Sequence, residues 1–465
     1  MYSSAVYNDF KEFPDAEILK KPLDDLVLQL KSMYIEKIRN FPFPTLPDLQ
    51  NIEATEKRLV MLGALEKRIV DVEKKSESIL ITSLGKIISS FPVSPRYGKM
   101  LAIAIQQDLL DYAIAIVSLL TIQEIFIYPD RPDAGDEAAE EAIKIRKDHN
   151  EMFGSIKKKW LSNGHLGLGD IILMLRACFA CELNDNKLAY CKMHNIRHKA
   201  MVEVHKLRKL LIKEISSNFQ GLTITTDLKK IRLPSDEQVR KLQQLMLICF
   251  CDHIAKRLTN DELSSSDKAK RPKNAYRSLE LEELVFLHDK TVLRDAHPEW
   301  VVYQEIFENN KLYMRTVVAI EPSWIPIYAN KQCDFSKPLE QPKPFYDKAS
   351  DQIKCYVIPT VRPFGWKLKQ TPIEYPESTE KYKLFAQFLL EGKVFDFFAK
   401  YYNEDLYLSK PEVITKSWGA LKKAPTKLLN ALVEQRISSK SALRKKFNLR
   451  PACKFVFESF VTRII

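Results

Sequence analysis

The 465 residues carry 72 Lys+Arg against 60 Asp+Glu, a net charge of +12, with 45% hydrophobic residues and only 12 Gly. Such a chain has room for about three domains, each with its own core, and its mildly basic balance favours a polyanionic partner. The most apolar run, residues 112–122, falls short of the roughly 18 to 20 residues a bilayer requires. No leader pattern opens the chain, and eight Cys without framework spacing point to a reducing compartment rather than to secretion.

Residues 18–65 read as helical. Leu23, Leu26, Val27 and Leu30 make one apolar stripe at helical spacing. Phe41-Pro-Phe-Pro-Thr-Leu-Pro47 is excluded from helix, since each Pro restricts its predecessor and lacks a donor. Asp48 stands at an N-cap position, Leu49, Ile52, Leu59 and Leu62 line the next helix, and Gly63 ends it. With a short strand predicted at 79–82, this stretch is expected to be a small winged-helix domain. Further helices are predicted at 96–105, 112–121, 138–150, 169–181, 197–215 and 237–257, with a polar Pro/Gly break at 130–136. Residues 263–274 read as a Ser- then Lys/Arg-rich linker. Beyond it the period becomes 2, and strands at 284–288, 300–307 and 311–320 suggest a small antiparallel barrel. Residues 334–376 are rich in Pro and aromatic residues and have no readable period. Residues 381–465 read as mostly helical. The aromatic C-terminal third has the character of a docking surface.

Chemistry-bearing motifs are sparse. A phosphate-cradling loop needs G-x-x-x-x-G-K-S/T. Gly85-Lys86-Ile87 and Gly98-Lys99-Met100 lack the leading Gly and the hydroxyl, and no Arg-rich segment supplies arginine fingers. Asp136-Glu137-Ala138-Ala139 reads as a charged helix start. Cys178, Cys181, Cys191, His194 and His198 have zinc-ligand chemistry, but the first two lie in an apolar helix without turn residues. Core thiols are the preferred reading there, as they are for Cys249 and Cys251. No nucleophile–base arrangement stands out, so no catalytic residue, cofactor or metal is assigned. Lys199, Lys206, Lys209 and Lys213 fall on one helical stripe opposite Val204, Leu207, Leu211 and Ile215, either a phosphate-contacting face or a solvated one. Lys311, Tyr313 and Arg315 alternate with Leu312, Met314 and Thr316, setting two cations and a ring on one strand face, either an ordinary solvent-exposed face or, as favoured here, the combination that holds single-stranded nucleic acid. His288, at a strand end, completes the RNA-binding candidates.

Phe91-Pro-Val-Ser-Pro-Arg-Tyr-Gly-Lys-Met-Leu101, arriving just after Leu84-Gly85-Lys86, resembles the junction between winged helix and ratchet in DEAH-box RNA helicases. Tyr2 to Phe10, 17–31, Phe41-Pro-Phe-Pro-Thr45, Leu62-Gly-Ala-Leu65, Glu299-Trp-Val-Val-Tyr-Gln-Glu305 and Tyr313-Met-Arg-Thr-Val317 continue the likeness. Gly164-His-Leu-Gly-Leu-Gly-Asp170, Asn195-Ile-Arg-His-Lys-Ala-Met201 and Tyr382-Lys-Leu-Phe-Ala-Gln-Phe-Leu-Leu-Glu-Gly392 resemble the branch of the family that serves the small-subunit processome. The resemblance implies a multidomain fold, mainly α with a small β-barrel. Its parts would be a remnant of the second RecA-like domain (1–17), a winged helix (18–91), a helical ratchet (92–262), the linker, an OB-like barrel core (275–333) and an α-rich extension (334–465). It further implies a nucleolar module that binds single-stranded pre-ribosomal RNA, processome proteins and a helicase activator. ATP and magnesium belong to the intact parent enzyme, so the chain is expected to be inactive alone, with a protein-interaction scaffold as the alternative.

Overall fold

The computed structural model describes residues 16–71, 76–122, 124–127, 169–258, 275–288, 290–404, 410–416 and 423–447. The readings at 2–10, 130–136, 136–139, 138–150, 164–168 and 263–274 lie outside the described residues. The chain divides into two compact units, Met1–Lys331 and Gln332–Ile465.

After a single helical turn at Glu17–Lys20, the first unit runs through α1 (Asp24–Ser32), α2 (Leu49–Leu62), the antiparallel hairpin β1 (Leu65–Asp71) and β2 (Ser76–Ile81), and α3 (Ser83–Ser89). Asp48 caps α2 by accepting from the Gln50 amide at 3.1 Å, and Gly63 ends it in the left-handed region at φ 85°. The buried side of α2 is Ile52, Thr55, Leu59 and Leu62. Leu49 is 51% exposed, so the apolar stripe starts at Ile52 rather than at Leu49. Leu23, Val27, Leu28 and Leu30 of the first segment close one core with Leu59, Leu65 and Ile88.

Next come α4 (Pro95–Gln106), α5 (Leu110–Ile122), α6 (Asp170–Leu183), α7 (Lys187–Met193), α8 (His198–Asn218) and α9 (Asp236–Cys249). Pro95 opens α4 at N1, where its missing amide proton costs nothing. Both α5 and α6 are buried on nearly every side, as helices apolar all round must be. Ser235 and Gln238 form a reciprocal capping box at the start of α9. The helix expected to run to 257 stops at Cys249, because the backbone of Ile254–Arg257 is claimed by a ladder. This strand, β3, pairs with β4 (Ala275–Ser278) and β6 (Trp300–Glu308).

The residues from Arg96 to Leu101 tie these pieces together. Arg96 donates to both Asp252 oxygens at 2.6 Å and to the Cys249 carbonyl at 3.1 Å. Lys99 reaches the Ile248 carbonyl at 3.1 Å, Tyr97 receives a hydrogen bond from the Gln304 amide at 2.7 Å, and Met100 and Leu101 are buried. The motif thus joins α4 to the end of α9 and to the barrel.

With β5 (Leu284–Leu287) and β7 (Leu312–Ala319) the strands close into a barrel in the order β3-β4-β5-β7-β6. The expected antiparallel barrel is corrected at one seam: β5 and β7 run parallel, Phe286 opposite Tyr313. Tyr276, Val285, Leu287, Tyr303, Met314 and Val317 fill its interior. Along β6 and β7, Tyr303 pairs with Val317 and Glu305 with Arg315, but Gln304 and Thr316 between them are left out of the ladder. Thr316 has φ 50°, a conformation that a β-branched residue adopts only at a bulge, turn or strained site. The kink reverses the alternation. Tyr303 and Val317 point inward on one side of it, whereas Phe307, Tyr313 and Arg315 are half-exposed on the other, with Met314 inward.

The second unit resolves the aperiodic stretch into two three-stranded sheets, β13-β10-β9 and β12-β11-β8, formed by β8 (Cys333–Phe335), β9 (Phe345–Asp347), β10 (Gln352–Val357), β11 (Pro359–Val361), β12 (Trp366–Lys367) and β13 (Thr371–Glu374). Most of these strands are too short to print a period. Helices α10 (Thr379–Leu390), α11 (Lys423–Glu434) and α12 (Lys440–Phe447) follow. Tyr382, Phe385, Phe388, Phe395 and Phe398 are buried in one core with Leu428, Leu432 and Leu443. The expectation that the aromatic residues of this third form a docking surface is corrected to that extent: these rings bury apolar area that the thin sheets cannot supply. No described helix is long and apolar enough to cross a membrane.

Candidate nucleic-acid interface

The outward positions of β5, β6 and β7 gather four rings. His288 meets Tyr313 edge-on at 5.0 Å between centroids and Phe307 at 5.3 Å, Phe307 lies 5.9 Å from Tyr313, and Phe286 lies 6.4 Å from Tyr313. Cations flank them: Lys311 Nζ lies 4.7 Å from the centroid of Phe286, and the Arg315 guanidinium 4.8 Å from that of Phe307. All four rings are half-exposed. Rings left partly wet beside cations can stack bases while the charges meet phosphates. His288 Nδ1 accepts from the Lys290 amide at 3.2 Å, which orients the ring and places the proton of a neutral imidazole on Nε2.

Arg315 is less free than the sequence suggests. It donates to Glu305 at 2.8 Å, its cross-strand partner, and lies 3.8 Å from Glu124. Its charge is partly spent within the fold, which leaves Lys311, an exposed residue, as the more available cation of the pair.

A cleft of about 510 Å³ opens beside this face. His288, Phe307, Met314 and Arg315 form the barrel side, and Asp170, Leu173 and Met174 of α6 form the other. Asp170 locks the two sides together. Its carboxylate accepts from the amides of Val292 and Val317 at 2.9 and 2.8 Å, and the Thr291 hydroxyl lies 2.9 Å from both its oxygens. The Val317 amide that meets it follows directly on the kink at Thr316. Gly169 passes so close to β7 that a Cβ there would lie 2.5 Å from the Val317 carbonyl oxygen, at a φ of 109°. Glu124 and Arg197 close the end of the cleft, held by the pairing of Phe126 with Ile196 and by bonds from Ile127 N to Asn195 O and Arg197 N to Ile125 O, both 2.8 Å.

The stripe on α8 is as expected in exposure: Lys199, Lys206, Lys209 and Lys213 are all exposed, and Val204, Leu211 and Ile215 are buried. None of the four lysines is ion-paired among the described residues, and none lines the cleft. The structure therefore brings His288, Lys311, Tyr313 and Arg315 together and leaves the lysines of α8 as a separate surface. Phe286, Phe307, Glu124, Arg197 and Asp170 were not singled out from sequence. Strand alternation sets Phe286 on the face of His288, but what brings either Phe to Tyr313 is the pairing of the strands, which has no local signal.

The described cysteines are packed thiols. Burial pushes Cys178 and Cys181 up to about 12, so the thiolate that metal binding or nucleophilic attack needs is strongly disfavoured. Cys181 and Cys191 touch at 3.4 Å between sulfurs. The thiol of Cys249 is likewise pushed up to about 12, and that of Cys251 is raised, each mainly by burial.

Three family models match the chain: the helicase associated domain (HA2), ratchet-like, over residues 94–174; the oligonucleotide/oligosaccharide-binding (OB)-fold over 242–331; and the DEAH helicase DHX37 C-terminal domain over 400–461. The OB-fold match takes in β3 and the end of α9, consistent with the barrel beginning before the linker. The chain is 37% identical over 457 residues to the probable ATP-dependent RNA helicase DHX37 of Homo sapiens, covering 97% of this chain and 38% of that protein. It is 35% identical to the probable ATP-dependent RNA helicase kurz of Drosophila melanogaster (99% and 38%) and 30% identical to the probable ATP-dependent RNA helicase DHR1 of Saccharomyces cerevisiae (77% and 31%). It thus spans less than two-fifths of the length of these relatives. With the ratchet-like domain, the OB fold and the C-terminal domain in that order, the chain belongs to the DEAH-box RNA helicase family and corresponds to the C-terminal part of its members.

Proposed function

We propose that this chain is an RNA-binding and regulatory module of a DEAH-box helicase that acts on pre-18S ribosomal RNA during small-subunit assembly in the nucleolus. In this reading the chain hydrolyses no ATP alone, residues 18–91 are a winged helix, and the barrel face with its cleft holds single-stranded RNA. The observation that carries it is the half-exposed cluster of Phe286, His288, Phe307 and Tyr313 beside Lys311 and Arg315. A purely structural cluster would be dry, and a merely solvated strand face would not collect four rings.

The test is affinity for a single-stranded RNA measured with Tyr313→Ala and Lys311→Glu. Stacking is worth about 1–3 kcal/mol per base, so Tyr313→Ala is expected to weaken binding by roughly 5- to 150-fold. Unchanged affinity in both variants would contradict the reading. A second reading, docking of ribosome-biogenesis proteins including a helicase activator, is favoured by the exposed Met33, Tyr34, Leu46 and Leu49 near the start of the first unit. It requires RNA binding to survive both substitutions.

A further inference from the structure

We infer that the cleft between the barrel face and α6 holds one unstacked guanine of the bound strand, read by the carboxylate of Glu124. This rests on the RNA-binding reading and adds base selection to it. The cleft's volume of about 510 Å³ lies in the range of pockets that enclose small ligands, about 300–1,000 Å³, and so admits a nucleoside. Its two walls suit a flat aromatic guest: Phe307 and His288 stand on the barrel side, Leu173 and Met174 on the helical side. Bases extruded from single strands are typically stacked on such rings and read on their Watson–Crick edges.

Glu124 sits at the end of this slot with its side chain 55% exposed. Its oxygens lie 3.4 Å from Arg197 and 3.8 Å from Arg315, contacts long enough to leave acceptor sites open, since an ionised carboxylate offers about four. Its backbone is left-handed, with φ 42°, a conformation that costs on the order of 1–3 kcal/mol and is found preferentially at ligand sites. The bridge between Phe126 and Ile196 fixes both Glu124 and Arg197 in place.

The chemistry of the four bases decides among them. Guanine presents N1–H and an N2 amino proton side by side, matching the two oxygens of one carboxylate. Uracil flanks its single N3–H with two carbonyl oxygens, which the carboxylate repels. Adenine and cytosine each offer one amino donor next to a ring-nitrogen acceptor, so they pair with only one oxygen.

The experiment compares the affinity of the intact chain for a uridine 10-mer with that for the same strand carrying one central guanosine, inosine, adenosine or cytidine. A bidentate pair is worth about 1–3 kcal/mol of discrimination, so one guanosine is expected to tighten binding by about tenfold or more. Inosine, which lacks the N2 amino group, should lose most of that gain. The guanosine-to-uridine ratio should fall to about one in Glu124→Gln, and also in Met174→Trp, which fills the slot from the opposite wall. Equal affinity for all strands in the unmodified chain, or a preference that survives both substitutions, overturns the inference while leaving RNA binding intact. Failure to bind any strand overturns the RNA-binding reading itself.

Discussion

Asp252→Ala is expected to destabilise the first unit by about 3–5 kcal/mol, the cost of leaving one member of a largely buried ion pair without its partner. Arg96 and Asp252 are each 22% exposed in their side chains, and the guanidinium meets both carboxylate oxygens at 2.6 Å. Without the carboxylate, the arginine keeps the Cys249 carbonyl, at 3.1 Å, and the face of Phe250, 5.5 Å from its centroid. The same pair gives a pH signature. Burial alone would raise the Asp252 carboxyl, but the hydrogen bonds and charge of Arg96 outweigh it and hold the group at about 2. A folded value below the ordinary one means that the contribution is fully present above about pH 4 and is lost as pH falls toward 2. It amounts to about 2 kcal/mol by linkage. Urea unfolding of the full chain should therefore show a large gap between the native chain and Asp252→Ala at pH 7, narrowing as pH is lowered from 4. A gap below about 1 kcal/mol at pH 7 would mean that this junction does not hold α4 to the end of α9.

Asp170→Ala is expected to cost about 3 kcal/mol, because a charged acceptor is removed and the partly buried amides of Val292 and Val317 lose their partner. Its place in the first turn of α6 adds a smaller loss through the helix dipole, about 0.3–1 kcal/mol. Asp170→Asn keeps one acceptor oxygen and should fall between the two. Thermal unfolding checks the order. RNA affinity should fall in the same order, since the carboxylate is what seats the helical wall of the cleft against the barrel wall. An Asp170→Ala chain as stable as the native one would contradict this account of how the cleft is held.

Much of this was legible in the residues, and the failures have physical causes. The apolar helices and the strands ending near His288, Phe307 and Ile320 follow from their periods. The end of α9 does not, because Leu245-Met-Leu-Ile-Cys-Phe-Cys251 contains no breaker. Arg96 and the barrel ladder impose it from more than 40 residues away. Lys311, Tyr313 and Arg315 were found because alternation alone puts them on one face, and His288 because it ends a strand. That Phe286 and Phe307 join them depends on a parallel pairing and on a kink at Thr316, and neither leaves a trace in a single sequence. Glu124 and Arg197 meet across 73 positions, and Asp170 meets Val317 across 147. Such contacts are set by the fold and have no local signal.

The most direct test is a salt titration of single-stranded RNA binding by the full 465-residue chain. For single strands the logarithm of affinity should fall linearly with the logarithm of salt, with a slope of about −0.7 per phosphate neutralised. The expected result is a slope corresponding to several contacts, reduced by about one contact in Lys311→Glu, and weaker binding to duplex than to single strand. No binding at low salt, or binding indifferent to salt and to strandedness, would contradict the assignment of the barrel face and its cleft as an RNA site.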